Sequence, residues 1–245
     1  SDYFQFDYTQ DVASSALFGQ MSWKLDEHWV LTPGLRLNRE RKLVNSAGQG
    51  YCPGKQEGVP RPCVFETLIS GQDYEARKLH RKEREVSPKL SLQYFFDGGF
   101  NAYASYARGY KSGGFNSISF TGEDLEFEPE RAGTAELGVK GRALDDQLRY
   151  GATLFHTAFD NLQVLAYNGV FFDVSNAASA TSQGLEADFH WLTPWRPLSL
   201  TGSVGILDAT YDDYREAPAP VGQGLGTLQD LSGKRIAFAP RTSLT

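Results

Sequence analysis

Apolar and polar residues alternate with a period of two along most of this chain. From Gly184 onward, Leu185, Ala187, Phe189 and Trp191 fall on one face, and Glu186, Asp188 and His190 on the other, the spacing of a β-strand. Leu90, Leu92, Tyr94 and Phe96 oppose Lys89, Ser91 and Gln93 in the same way, and Ala135, Leu137 and Val139 oppose Glu136, Gly138 and Lys140. Trp29, Leu31, Leu35 and Leu37 alternate with Thr32, Arg36 and Asn38, and Leu198, Leu200, Val204 and Ile206 with Ser199, Thr201 and Ser203. No segment longer than about two turns carries a 3.6-residue period. The pattern predicts an all-β chain.

Strand length and connection length then narrow the architecture. The predicted strands cover 14–25, 29–42, 84–96, 100–112, 131–143, 147–166, 170–192 and 198–213, with a further strand expected at Phe4, Phe6 and Tyr8 and the start of another at Ala237. A soluble strand usually has about 5–6 residues, whereas crossing a bilayer at a tilt of about 45° takes about 9–11. Asp26-Glu27-His28, Asp97-Gly98-Gly99, Asp145-Asp146 and Pro194-Trp195-Arg196-Pro197 have the residue types of tight hairpin turns. Between them lie long connections at 43–80, 113–130, 161–182 and 213–236. In an antiparallel up-and-down meander this order puts every short turn at one end and every long loop at the other, as in an outer-membrane barrel. Trp23, Trp29, Tyr94, Phe95, Phe96, Phe100, Trp191 and Trp195 all lie near short turns, resembling an interfacial aromatic girdle. A large soluble β-protein is the competing reading. It would need a solvated outer face for Arg36, Glu136, Lys140, Glu186 and Asp188, which a barrel places in a wet lumen.

Composition excludes several classes. The 245 residues carry 24 Lys+Arg against 30 Asp+Glu, a formal net charge of −6, which argues against a nucleic-acid partner and its basic stripe. No apolar run approaches the 18 or so residues of a spanning helix. The mean hydropathy of −0.41 is compatible with a barrel in which only alternate residues face lipid. The two cysteines, Cys52 and Cys63, lie in a Gly/Pro-rich stretch and predict a loop disulfide formed outside the cytosol, two free thiols being the alternative.

Catalytic and metal chemistry find no support. Gly109-Tyr110-Lys111-Ser112-Gly113-Gly114 lacks phosphate-loop spacing, and its glycines are expected to let a strand top bend inward. His28, His80, His156 and His190 show no ligand spacing, and Asp145/Asp146 and Asp212/Asp213 are read as solvated turn carboxylates. No cofactor, metal or enzymatic activity is expected. Recognition is expected instead on the long loops, which a rigid wall presents. The candidate ligand-binding residues are Tyr110, Lys111, Phe115, Asn116, Tyr167, Phe171, Phe172 and Tyr211, with Tyr51, Tyr74 and Tyr214 beside them. Arg77, Lys78, Arg81, Lys82, Arg84 and Lys111 add positive charge there. Contact with acidic lipopolysaccharide, or simple solvation, is the alternative role for these cations. Asn168-Gly169 between two apolar runs predicts a projecting hairpin ribbon.

Several segments together resemble the TonB-dependent outer-membrane receptors. They are Ser14 to Gln20, Leu31 to Arg36, Ser87 to Leu90, Tyr103 to Asn116, Phe127 to Glu130, Glu136 to Gly141 and Gly184 to Glu186, in order along nearly the whole chain from about residue 12. One departure is Asn176-Ala177-Ala178, where many members read Asn-Ala-Gly. The resemblance implies a barrel of about 22 strands with a plugged lumen, of which residues 1–245 are an incomplete part of about 8–10 strands. The plug domain and the C-terminal strands are expected to be absent from this chain. The resemblance further implies a multi-pass protein of the outer membrane, in contact with its lipid and lipopolysaccharide. It implies uptake of a ferric siderophore or similar ligand by active transport coupled to TonB through the plug. A passive porin or surface-binding barrel without TonB coupling is the alternative.

Overall fold

Residues 3–51, 74–119, 125–167, 172–195, 197–220, 222–223 and 227–245 are described by a computed structural model of the chain. The period-two segments form the wall strands β1 (Tyr3–Gln20), β3 (Trp29–Tyr51), β4 (Tyr74–Phe95), β5 (Phe100–Lys111), β8 (Glu130–Ala143), β9 (Leu148–Tyr167), β10 (Phe172–Leu192) and β11 (Ser199–Asp213). Shorter pieces are β2 (Trp23–Lys24), β6 (Gly114–Phe115), β7 (Glu126–Phe127), β12 (Ala217–Pro218), β13 (Leu228–Gln229) and β14 (Thr242–Leu244). The main sheet runs β1-β3-β4-β5-β8-β9-β10-β11-β14, with β2 also on β3. Every pairing of wall neighbours is antiparallel. The expected meander is therefore present, and no helix occurs among the described residues. The sheet is open, with β1 and β14 at its two ends.

Several strands are longer than the alternation suggested. The expected strand at Phe4 to Tyr8 is the start of β1, and β3 and β4 run on to Tyr51 and from Tyr74, well into the connection predicted at 43–80. The strand expected from Ala237 begins only at Thr242 and pairs through Val204↔Leu244.

Register sorts the two faces. One row across the sheet reads Ile206, Leu185, Leu154, Leu137, Ala104, Leu92, Leu31, Trp23. Two residues nearer the short turns a second row reads Val204, Ala187, Ala152, Val139, Ala102, Tyr94, Trp29. Both rows are wholly apolar or aromatic, and many of their large side chains are exposed, Leu137 at 58% and Leu154 at 54%. An apolar face without protein cover is what lipid contact requires. The row between them, Glu186, Thr153, Gly138, Tyr103 and Gln93, points the other way and is hydrogen-bonded across strands, with the Tyr103 hydroxyl 2.9 Å from Thr153 Oγ1. Tyr103 lies so close over Gly138 that a Cβ there would sit 2.5 Å from its ring. A side chain at that position would have to displace the Tyr103 ring.

The short-turn end carries the expected aromatic cluster. Tyr94 packs edge-on against Trp29 and Phe96, with centroids at 4.8 and 4.6 Å, and Phe96 stacks on Phe100 at 4.3 Å. Asp26 closes one of these turns by accepting from the N–H groups of His28 and Trp29 at 2.8 and 2.7 Å. Those bonds hold its carboxyl below the ordinary value. The β8–β9 turn places Leu144, Asp145 and Asp146 in the left-handed region, with φ of 55, 52 and 65°, a conformation that aspartate tolerates better than most residues.

Candidate functional site

At the end opposite the short turns, the connection between β5 and β8 folds across the inward face instead of projecting outward. Gly113 and Gly114 permit this. A Cβ on Gly113 would lie 2.7 Å from the Arg81 guanidinium carbon, and one on Gly114 would lie 2.7 Å from the Phe127 ring. The inward bend expected of these glycines is present. The strap, residues 112–119 and 125–129, is held by wall strands far apart in the sheet. Tyr8 of β1 donates to the Phe115 carbonyl at 3.2 Å. Lys42 of β3 donates to Ser112 Oγ at 2.8 Å and to the Gly113 carbonyl. From the other side, Gln163 of β9 donates to the carbonyls of Ser112 and Glu128 at 2.9 and 3.0 Å. On β10, Asn176 accepts from the Glu128 N–H at 2.8 Å and donates to the carbonyls of Glu128 and Asn161, both at 2.9 Å. The Asn116 amide forms a two-point clasp on Val174, donating to its carbonyl at 2.9 Å and accepting from its N–H at 2.8 Å.

Arg81 is the centre of the charge here. Its side chain is 10% exposed and pairs with Glu83, itself 9% exposed, and with Glu126 and Glu128 on the strap. Although burial opposes the charge, these carboxylates hold the guanidinium above its ordinary pKa. Around it, Lys42 pairs with Glu40 at 3.0 Å, Arg131 with Glu85, and the Tyr110 hydroxyl donates to Glu83. The network sets Lys42, Arg81 and Arg131 among the carboxylates of Glu40, Glu83, Glu85, Glu126 and Glu128 and holds no nucleophile–base pair. Among the described residues no group of three His, Cys, Asp or Glu is placed to hold a metal. Such an arrangement can bind and orient a charged ligand or anchor a mobile element.

The structure separates the expected site residues into groups. Tyr110, Phe115 and Asn116 belong to the strap region, Phe115 being 7% exposed. Lys111 is exposed at the end of β5. Tyr167 and Phe172 oppose each other at the tip of the β9–β10 ribbon, with ring centroids 5.1 Å apart, and Phe172 is 63% exposed. Tyr211 is buried at 6% with Ala180, Tyr214 and Ala217, against Phe159, Leu162, Val164, Leu231 and Ile236. Cys52, Cys63, Asn168, Gly169 and Phe171 lie outside the described residues, as do the side chains of Tyr51, Tyr74 and Arg77. The sequence named Arg81 but neither its partners Glu83, Glu126 and Glu128 nor the neighbouring pairs Lys42–Glu40 and Arg131–Glu85. The alternation of charge in Arg39 to Lys42 and Arg81 to Glu85 was the available signal.

The family model described as "TonB dependent receptor-like, beta-barrel" matches residues 1–245. The catecholate siderophore receptor Fiu of Escherichia coli O157:H7 is 23% identical over 246 residues, covering 94% of this chain and 29% of the relative. Among solved structures, the ferric yersiniabactin uptake receptor FyuA from Yersinia pestis superposes with a TM-score of 0.73 at 18% identity, over 99% of this chain and 32% of that one. The siderophore receptor PiuA from Acinetobacter baumannii gives 0.69 at 18% identity, over 97% and 31%. These structural likenesses concern the fold. The chain spans roughly three tenths of the length of the proteins it matches.

Proposed function

Because the chain belongs to the TonB-dependent receptor β-barrel family, we propose that it is part of the wall of an outer-membrane receptor that takes up a ferric siderophore by TonB-coupled active transport. On this reading the plug that contacts TonB and the remaining strands are supplied by other parts of the receptor. The wall contacts membrane lipid and lipopolysaccharide. The observation that carries the reading is the polar, strap-crossed inner mouth, set at the long-loop end of a sheet whose opposite face carries wholly apolar and aromatic rows at its middle levels. An aromatic ribbon tip above a mouth lined by ion pairs and hydrogen-bonding groups suits an aromatic, polar chelate.

The test is a binding titration of the detergent-purified receptor with a ferric tris-catecholate, the ligand class in the name of one relative. Replacing Tyr167 and Phe172 with Ala should weaken binding by about 30-fold if they act as anchors worth roughly 2 kcal/mol, while leaving the heat-modifiable band of the folded barrel unchanged. Unchanged affinity in a folded variant would remove the ribbon from recognition. Separately, we propose that Cys52 and Cys63 form a disulfide in the β3–β4 connection, stabilising by about 3 kcal/mol in the loop-entropy picture. Intact-mass alkylation of receptor from outer membranes should then find no free thiol, and two labelled thiols would refute the pairing.

A further inference from the structure

The outward face of β3 and β4 changes character at one level. From Trp29↔Tyr94 upward, the outward pairs are Leu31↔Leu92, Pro33↔Leu90, Leu35↔Pro88 and Leu37↔Val86. The next two are Arg39↔Arg84 and Arg41↔Lys82. Four cations thus stand directly opposite one another on adjacent strands, all exposed. Like charges in direct cross-strand register are destabilising when left to themselves. The inward positions of the same strands resolve their charge internally, through Lys42–Glu40, Arg81–Glu83 and Arg131–Glu85. The outward four have no ion pair with a carboxylate among the described residues. Asp11, at the next outward level through Asp11↔Leu43, is the nearest acid on that face of β1.

The level is informative. Arg39 is ten residues above Trp29 on β3. At about 3.4 Å per residue and a tilt of about 45° that is a rise of roughly 24 Å, close to the apolar band of about 25 Å in such barrels. The cations therefore stand where the band ends on the long-loop side. At this place a depression of about 470 Å³ is lined by the outward residues Leu17, Leu37, Val86, Ser15, Arg39 and Arg84 and by Ala16, Asn38 and Glu85 of the inward parity, the Glu85 carboxylate being paired with Arg131. Ser15, opposite Arg39, is small enough to leave the guanidinium accessible. An apolar trough ending in two guanidiniums fits an acyl chain carrying a phosphate at its head, because guanidinium groups pair with phosphate through two parallel hydrogen bonds.

We propose that Arg39, Arg41, Lys82 and Arg84, with the Leu17–Leu37–Val86 trough, form a binding site for the phosphorylated glycolipid of the outer leaflet, one acyl chain lying in the trough and a phosphate between the arginines. The assignment rests on the outer-membrane reading above and adds to it a located lipid site. The bound phosphate supplies the counter-charge that the two facing pairs lack.

The experiment is native mass spectrometry of the full receptor released from outer membranes in mild detergent, followed by titration with bisphosphorylated lipid A. The parent receptor should carry a lipid A adduct. The Arg39→Gln/Arg84→Gln variant should bind lipid A about 25-fold more weakly, taking roughly fivefold per cation near a membrane surface. The Arg39→Lys/Arg84→Lys variant should retain part of the affinity, and Arg36→Gln, on the inward face, should retain all of it. Should the first variant fail to fold, Arg41→Gln/Lys82→Gln tests the second pair. Dephosphorylated lipid A and phosphatidylglycerol serve as the other probes. Equal adducts in parent and Gln variants, or equal binding of dephosphorylated lipid A, would overturn the phosphate site. Equal binding of phosphatidylglycerol would reduce it to a general anionic surface and overturn the glycolipid assignment. A receptor missing from the outer-membrane fraction would instead defeat the underlying localisation, so the two failures are distinguishable.

Discussion

Leu154→Lys is expected to reduce the folded, heat-modifiable receptor in outer membranes severely, whereas Thr153→Lys, one residue away, should assemble nearly as the parent does. Leu154 is in the middle of the apolar row, between Leu185 and Leu137, and is 54% exposed to whatever surrounds the sheet. A lysine on the lipid face at mid-depth costs roughly 2–4 kcal/mol, falling to about 0–1 near the interfaces. Thr153 belongs to the hydrogen-bonded inward row with Tyr103, where a lysine is wetted by the lumen. Depth also ranks the outward positions. Phe189 opposes Tyr150 and Gly202 only a few residues from the short turns, so Phe189→Lys should cost less than Leu154→Lys and still more than Asp188→Lys. The measurement is the fraction of each variant running as a folded band before heating. Equal fractions for Leu154→Lys and Thr153→Lys would show that the faces are assigned wrongly.

The second large effect is expected at Arg81. Arg81→Ala leaves Glu83, buried at 9% exposure, without its principal cation and frees Glu126 and Glu128 on the strap. Removing one partner of a buried ion pair typically costs about 3–5 kcal/mol. Here the loss falls on strap docking, because the strap is joined to the wall by side-chain bonds and not by the main ladder. Amide hydrogen exchange in residues 112–119 and 125–129 should accelerate by roughly 10²–10³-fold if opening is local, with wall strands unchanged. Arg84→Ala, on the opposite face of β4, should leave strap exchange as it was. If strap exchange is insensitive to Arg81, the neutral clasps and Lys42, with Asn116 on Val174, Asn176 on Glu128 and Gln163 on Ser112, suffice to hold it.

The wall was legible because the side-chain period of a strand is local information. Leu185 to Trp191 and Leu90 to Phe96 state their faces without reference to any other segment. The strap network was not legible, because it depends on which residues register brings opposite each other. Lys42 meets Arg81 across β3–β4, and Arg81 then meets Glu126 and Glu128 from another connection. Tyr110 shows the limit of parity. The odd positions Asn101 to Ala107 share the inward face, yet the Tyr110 hydroxyl also reaches Glu83. Pairing with β4 is continuous only as far as Lys89↔Ala107, whereas pairing with β8 runs on to Lys111↔Glu130, so the end of β5 is held along one edge only. Asn161, at φ 54°, interrupts β9 similarly, beyond the last β8 pair at Arg131↔Asp160. Tyr211 reads as a loop aromatic from its position at a strand end. Residues 231–236 fold back over it, with the Tyr211 N–H donating to the Lys234 carbonyl at 2.9 Å.

The order of strands in the sheet also governs how such a wall can grow or shrink. Each long strand pairs with the strands next to it in sequence, so a hairpin is a self-contained module whose removal leaves its neighbours in antiparallel register with each other. Adding or deleting modules in twos keeps every tight turn on the same side of the membrane. Deleting a single strand would reverse the direction of everything after it and mix tight turns with long connections on each side of the membrane. Gene duplications and deletions that preserve function should therefore change this wall by whole hairpins, with length variation gathered in the connections at the strap end.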